Sequence, residues 1–195
     1  MSFNTSGLGP ADIQIVRTLQ PVIIDCLRRA SASILKGNGK AEARKWFGDD
    51  GNPWMGEVAR KLQTLASMIN VKPIEVGFAS LTCRCGDEFA SANRPAGGWR
   101  DFTRAPSPMT SGEGQNFRIF LNHRWNASPI YRPLKRPADS KFQTLVHECT
   151  HLFINTDDDA YGVASCEVTA AKQPAIAKKT ADCWGYFVEE FRSAA

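Results

Sequence analysis

The sequence predicts an α+β fold that is mostly helical and carries a small β-sheet, and three observations support that expectation. Residues 11–36 and 53–70 repeat apolar side chains at helical spacing. The segments "PIEVGFASL" and "NFRIFLN" are short runs of β-branched and aromatic residues, the texture of strands. From residue 139 onward the helical period returns in three further segments.

Taken in order, "ADIQIVRTLQPVIIDCLRRASASILK" reads as a helix that Pro21 is expected to end or kink, because proline lacks the N–H that the helix ladder needs. "GNGK" stops it. A short helix is expected at "AEARKWF", a turn at "GDDGNP", and a well-marked helix at "PWMGEVARKLQTLASMIN". That helix opens on proline, carries Val58, Leu62, Leu65 and Ile69 on one face, and stops at Asn70. Trp46, Phe47 and Trp54 read as core. Between the two strand segments lies "ANRPAGGWRDFTRAPSPMTSGEGQ", a long loop rich in Gly, Pro and Ser. Long loops inside compact domains more often serve function than fill space. Asp139 is expected to cap the helix of "DSKFQTLVHECTHLFIN". The remaining helices are expected over about 163–173 and at "PAIAKKTADCWGYFVEEF".

Length and composition narrow the class. A chain of 195 residues with 43% hydrophobic and 23% charged residues suits one globular domain, expected over residues 1–195. An N-terminal lobe of about 11–138 and a C-terminal helical part of about 139–195 are expected to flank a cleft. The net charge of +4 comes from scattered Lys and Arg, so no nucleic-acid footprint is expected. No segment approaches the roughly 20 apolar residues needed to span a bilayer. "MSFNTSGLGPADIQ" lacks the basic start and apolar run of a secretory signal, so cytoplasmic synthesis and export by a route reading no such signal are expected. Six cysteines permit up to three disulfides and lean toward an oxidising destination. Cys166 and Cys183 fall on successive helices, and the sequence leaves their bridging open; Cys83 and Cys85 read as disulfide-bonded or buried thiols rather than metal ligands.

The chemistry concentrates in "TLVHECTHLFINTDDDAYG", residues 144–162. On a helix, positions i and i+4 share a face, so His147 and His151 present two imidazoles to one point. That supplies two corners of a tetrahedral zinc site. Glu148 sits one step around, placed to take a proton from a metal-activated water rather than to bind the ion. With 3 histidines in 195 residues, chance occurrence of H-E-x-x-H is on the order of 0.002, so a pair of satisfied core histidines is the weaker reading.

A catalytic zinc takes three protein ligands. The other histidine, His123, lies upstream in "LNHRW" and reads as a strand end or turn cap. Glu167, Glu189 and Glu190 carry no pattern that singles one out. Asp157 lies six residues past His151 but lacks the midway glycine such spacing requires, since Ile154 stands there. Asp158 remains.

"NTDDDAYG" resembles the G-T-x-D-x-x-Y-G signature of the deuterolysin and peptidyl-lysine metalloendopeptidase family, the aspzincins. Asn155 replaces the first glycine, and asparagine tolerates the left-handed angles such a turn needs. Further likeness lies in "KWFG", in "CRCGDEFASANRPAGG" followed by "FRIFLNHRW", and in "TADCWGYFVEEF", so it covers roughly residue 25 to the end. The resemblance implies a zincin-like metallopeptidase. One Zn2+ would be held by His147, His151 and Asp158, with Glu148 as general base and the Tyr161 hydroxyl on the oxyanion. Asp182 matches an aspartate near the pocket for the residue after the cleaved bond, with anchoring of its helix to the active-site segment as the equal alternative; the second acid of strict lysine specificity would fall near Gly185. The expected function is therefore a zinc-dependent metalloendopeptidase acting on protein or peptide substrates, as a monomer, with a secretion or inhibitor partner allowed for. The alternatives are a peptidase effector cutting one host or rival protein, and a non-catalytic zinc-stabilised binding module.

Overall fold

The computed structural model describes residues 3–78, 90–93, 117–133 and 138–192. Its elements run β1 (Phe3–Gly7), α1 (Pro10–Leu35), α2 (Lys40–Phe47), α3 (Asn52–Val71), β2 (Ile74–Phe78), β3 (Ala90–Asn93), β4 (Phe117–Leu121), α4 (Arg124–Ala127), α5 (Lys141–Ile154), α6 (Val163–Lys172), α7 (Pro174–Ala177) and α8 (Ala181–Glu189). The α+β expectation holds: helices dominate and a small sheet accompanies them. The long loop and Cys83 and Cys85 fall largely or wholly outside the described residues.

α1 departs from expectation. It runs unbroken through Pro21 instead of ending there. Pro21 lies on the exposed face of the helix, so water can serve the carbonyl whose N–H partner is missing. The opposite face carries Val16, Leu19, Ile23, Leu27 and Ile34, all buried, and it packs on α3. The cross-links Gln20 Nε2 to Ile69 O and Ser31 Oγ to Ala59 O show the two helices to be antiparallel.

The sheet has the order β1-β2-β4-β3. β1, β2 and β4 are parallel, and β3 pairs antiparallel with β4, Ala90 opposite Leu121 and Asn93 opposite Arg118. Ile74, Val76, Phe117, Ile119 and Leu121 are buried along alternating positions, as the pleat requires. β4, the expected strand of "FRIFLN", is interior to the sheet, bonded on both sides. β1 and β3 were not read from the sequence. β3 is the edge that packs beside α5.

The helices that matter most are buried nearly all round. Every residue of α8 is buried, and α5 is buried from Lys141 to Leu152, so both are central helices rather than surface ones. They pack directly on each other. An aromatic cluster of Trp46, Phe47, Trp54, Trp184 and Phe187 joins α2 and α3 to α8, with Phe47 4.8 Å from Trp184 and 5.0 Å from Phe187 by ring centroid. Gly48 lets α2 also approach α6 closely. It ends α2 at φ 66°, and a Cβ there would stand 2.0 Å from the Ala170 carbonyl oxygen of α6.

The start of α5 also differs by one residue. Ser140, not Asp139, is the N-cap, its Oγ accepting from Gln143 N at 2.9 Å. Asp139 turns away and accepts the Tyr186 hydroxyl of α8. Both residues are able to cap; the backbone bonds from Lys141 N to Pro129 O and from Phe142 N to Ile130 O set the register.

Candidate metal centre

α5 carries His147 and His151 one turn apart, and their Nε2 atoms lie 2.9 Å from each other. After Ile154 the chain reverses at Asn155, which adopts φ 57°, ψ 56° as the C-cap. This is the left-handed position that asparagine tolerates better than most residues. Asp157 then exchanges two backbone bonds with the approach to α8: its N donates to Lys179 O at 2.7 Å and its O accepts from Ala181 N at 2.9 Å. So anchored, the loop returns Asp158 to the face of α5. Its Oδ1 lies 3.0 Å from His147 Nε2 and 3.1 Å from His151 Nε2. Among the described residues, His147, His151 and Asp158 are the group able to hold a metal ion.

The far side of each imidazole is tied. His147 Nδ1 donates to Asp182 Oδ1 at 2.6 Å. His151 Nδ1 donates to the Thr156 carbonyl at 2.9 Å, with Thr156 Oγ1 at 3.2 Å. The hydroxyls continue the chain: Thr156 Oγ1 to Thr150 Oγ1 at 2.8 Å, and Thr150 Oγ1 to His147 O at 2.7 Å. With both Nδ1 atoms acting as donors, each neutral ring turns an Nε2 lone pair toward the same point that Asp158 Oδ1 faces. Three acceptors at 2.9–3.1 Å from one another need a cation between them.

The spacing fits zinc. Ligand bonds of roughly 2.0–2.1 Å in a tetrahedron put neighbouring donor atoms about 3.3 Å apart. Two imidazoles and one carboxylate are also a donor set that suits this ion.

Electrostatics point the same way. Burial works against a charged His147, but the carboxylates of Asp158, Asp182 and Glu148 outweigh it and raise its pKa well above the ordinary histidine value. Burial likewise works against a charged Asp158, yet hydrogen bonds from His147 and His151 hold its carboxyl well below the usual range. A proton takes the cation's part when no ion is bound.

The other expected residues are placed as follows. Glu148 is buried, its Oε1 3.8 Å from His147 Nε2 and outside the trio. Tyr161 is 54% exposed, and its ring lies 6.4 Å from that of His147 at an interplanar angle of 20°. Asp182 is only 5% exposed. Besides His147 it accepts from Gln143 Nε2 at 2.6 Å through Oδ1 and from Gly162 N at 2.7 Å through Oδ2. That is a carboxylate behind His147 with both oxygens engaged, the anchoring arrangement of the two expected for it. Gly185 lies against Gln143, whose Cγ would be 2.9 Å from any Cβ placed there.

The residues set aside as ligands stand elsewhere. Glu167 and Glu190 lie by Lys45 at 3.8 and 3.1 Å, and Glu189 accepts from Ser140 Oγ and Arg132 N. His123 is exposed at the N-cap of α4. Cys149 is fully buried on α5, outside the trio, and burial pushes its thiol pKa up. Sequence reasoning missed the threonine relay, although its members lie within six residues of one another, and Gln143, whose partner Asp182 is brought to it from 39 residues away by tertiary packing.

Residues 110–189 match the model of the family described as lysine-specific metallo-endopeptidase, the M35 aspzincins. The chain is aspzincin-like. The zinc peptidase of Grifola frondosa is similar in structure: the TM-score is 0.67 at 19% identity, over 94% of this chain and 97% of that one. At that identity the likeness speaks for the fold, and it bears out the metallopeptidase architecture expected for an aspzincin-like chain. No curated protein sequence matches. Zinc is the metal of the aspzincin family, and this aspzincin-like chain has the His-His-Asp group to hold it. No helix among the described residues is long and apolar enough to cross a membrane.

Proposed function

We propose that this chain is a zinc-dependent endopeptidase in which His147, His151 and Asp158 hold the ion and Glu148 is the general base. One observation carries the reading: three lone pairs converge on a point while both outer ring nitrogens are committed to Asp182 and Thr156. Bound zinc supplies a Lewis acid and a water whose pKa falls toward about 7.

The chain's own residues do the rest. Glu148, buried next to the trio but outside it, accepts the proton of the attacking water and passes it to the departing amine. Asp182 and the Thr156–Thr150 relay fix the two imidazoles so that little reorganisation is needed on binding. Tyr161, exposed beside His147, turns its hydroxyl to the oxyanion, where one donor is worth about 2–4 kcal/mol. The peptide adds as a strand along the outer edge of β3, which runs beside α5. A closed structural zinc would require a fourth Cys or His; among the described residues the trio stands without one, which favours the catalytic reading over a binding module.

Glu148→Gln tests the assignment. The variant should bind zinc as the parent does and lose about 10²–10⁴-fold in turnover on a cleaved peptide. Parent-level turnover in the zinc-loaded Glu148→Gln variant refutes the role given to Glu148.

A further inference from the structure

Two of the described cysteines face each other away from the reaction. Cys166 and Cys183 are both fully buried. Cys166 lies one turn into α6, its N bonded to Gly162 O at 3.0 Å. Asp182 Oδ2 holds Gly162 N at 2.7 Å, which clamps the first turn of α6 to the first turn of α8, and Cys183 follows Asp182 directly. The two cysteines are neighbours in that contact between α6 and α8, where the Cys183 side chain acts on Cys166. The other contact of Cys166 Sγ is a long one, 4.0 Å to Ala160 O. By contrast, Cys26 lies under the Arg29 guanidinium at 3.6 Å, and Cys149 belongs to α5.

We propose that Cys166 and Cys183 are a disulfide site, a cross-link that ties α6 to α8 behind the metal-holding loop. Neither residue has a part in the peptidase chemistry, and the bond stands or falls independently of it. Buried cysteines on the first turns of two helices clamped together at Gly162 and Asp182 are placed for the short Cα separation a disulfide needs. The oxidant is a low-molecular-weight disulfide such as oxidised glutathione. One cysteine thiolate attacks it, releasing a reduced glutathione and leaving a mixed disulfide. The second thiolate then displaces the other glutathione. The protein loses two protons and two electrons, and oxidised glutathione becomes two reduced molecules. The Cys183 thiol and burial push the Cys166 pKa up in the folded state, so little of the reactive thiolate is present there. The bond therefore forms while the chain folds and is protected once both sulfurs are inside.

The test is refolding of the full chain from the reduced, denatured state in a glutathione redox buffer. Free thiols are then alkylated, and the protein is digested and mapped by mass spectrometry without reduction. The expected result is one linked species joining the peptides of Cys166 and Cys183. Native reduced protein exposed to the same buffer should form it far more slowly. The cross-link should raise the melting temperature by on the order of 5–10 °C, and dithiothreitol should remove the gain in the parent but change nothing in Cys183→Ser. Where that variant fails to fold, Cys166→Ala replaces it, and the parent peptide map decides alone. Recovery of both cysteines alkylated, or either joined to another cysteine, overturns the proposal.

Discussion

Replacing Asp182 with Asn separates a carboxylate that holds a ligand from one that contacts substrate. In the parent, Oδ1 accepts from His147 Nδ1 and Gln143 Nε2, both at 2.6 Å, and Oδ2 accepts from Gly162 N at 2.7 Å. An amide has one acceptor oxygen. If that oxygen keeps His147 and Gln143, the new NH2 faces the Gly162 N–H, donor against donor. If it turns the other way, two donors lose their partner. Either way at least one buried donor is unsatisfied, which costs about 1–3 kcal/mol of stability. Loss of a carboxylate behind a ligating histidine typically weakens metal affinity or activity by roughly 10–100-fold. The assay is competition with a chromogenic zinc chelator, run beside thermal melting of the metal-free protein. Both zinc affinity and stability should fall. Parent-level zinc affinity with a raised KM for peptides would refute the ligand-holding role and restore Asp182 as a substrate contact.

Two further outcomes follow from the same structure. Gly48→Ala should lower stability by more than about 2 kcal/mol in chemical denaturation, because a non-glycine residue at φ 66° is strained and its Cβ would sit 2.0 Å from the Ala170 carbonyl oxygen; a cost under about 0.5 kcal/mol would contradict the α2–α6 approach described. In the metal-free protein, the raised His147 pKa contributes stability that is fully present below about pH 6.5 and lost as pH rises through its folded value. The depressed Asp158 pKa contributes stability present above about pH 4 and lost as pH falls through its folded value. The pair therefore stabilises most between about pH 4 and 6.5, and zinc affinity should climb with pH as the ion replaces the His147 proton. Melting of the metal-free parent against Asp158→Asn across pH 4–9, with zinc titrations in buffers of different ionisation enthalpy, checks both. An Asp158→Asn effect that grows from pH 6.5 to 9, or zinc uptake at acidic pH without proton release, would contradict the coupling.

What was legible in the sequence is what depends on short separations. His147 and His151 are four apart on one helix, so spacing was enough to pair them, while Asp158, which follows within a single reversal at Asn155, was singled out by the resemblance of "NTDDDAYG" to the aspzincin signature. The strands β2 and β4 and the helices α2, α3 and α5 were visible because their apolar periods are clean. β1 and β3 were not, because "FNTSG" and "ASAN" have small and polar residues that carry no strand period; the neighbouring strands, through register, make them strands. Pro21 misled because its side of α1 faces water, a fact that only packing against α3 decides. The Asp182–His147 contact spans 35 residues, and no spacing rule reaches that far.

That long contact shows where the site gets its rigidity. The approach to α8 holds the Asp158 loop through the backbone bonds of Asp157 with Lys179 and Ala181. One residue later, Asp182 holds His147 from behind and Gly162 from below. Two of the three proposed metal ligands are therefore positioned from the start of the same buried helix, while the third, His151, is held from within the loop by Thr156. A change that shifts the start of α8 loosens two ligands together, whereas one at Thr156 or Thr150 loosens one. Changes near residue 180 should thus cost more zinc affinity than changes of equal chemical size near residue 150, even though the latter lie on the helix that carries both histidines.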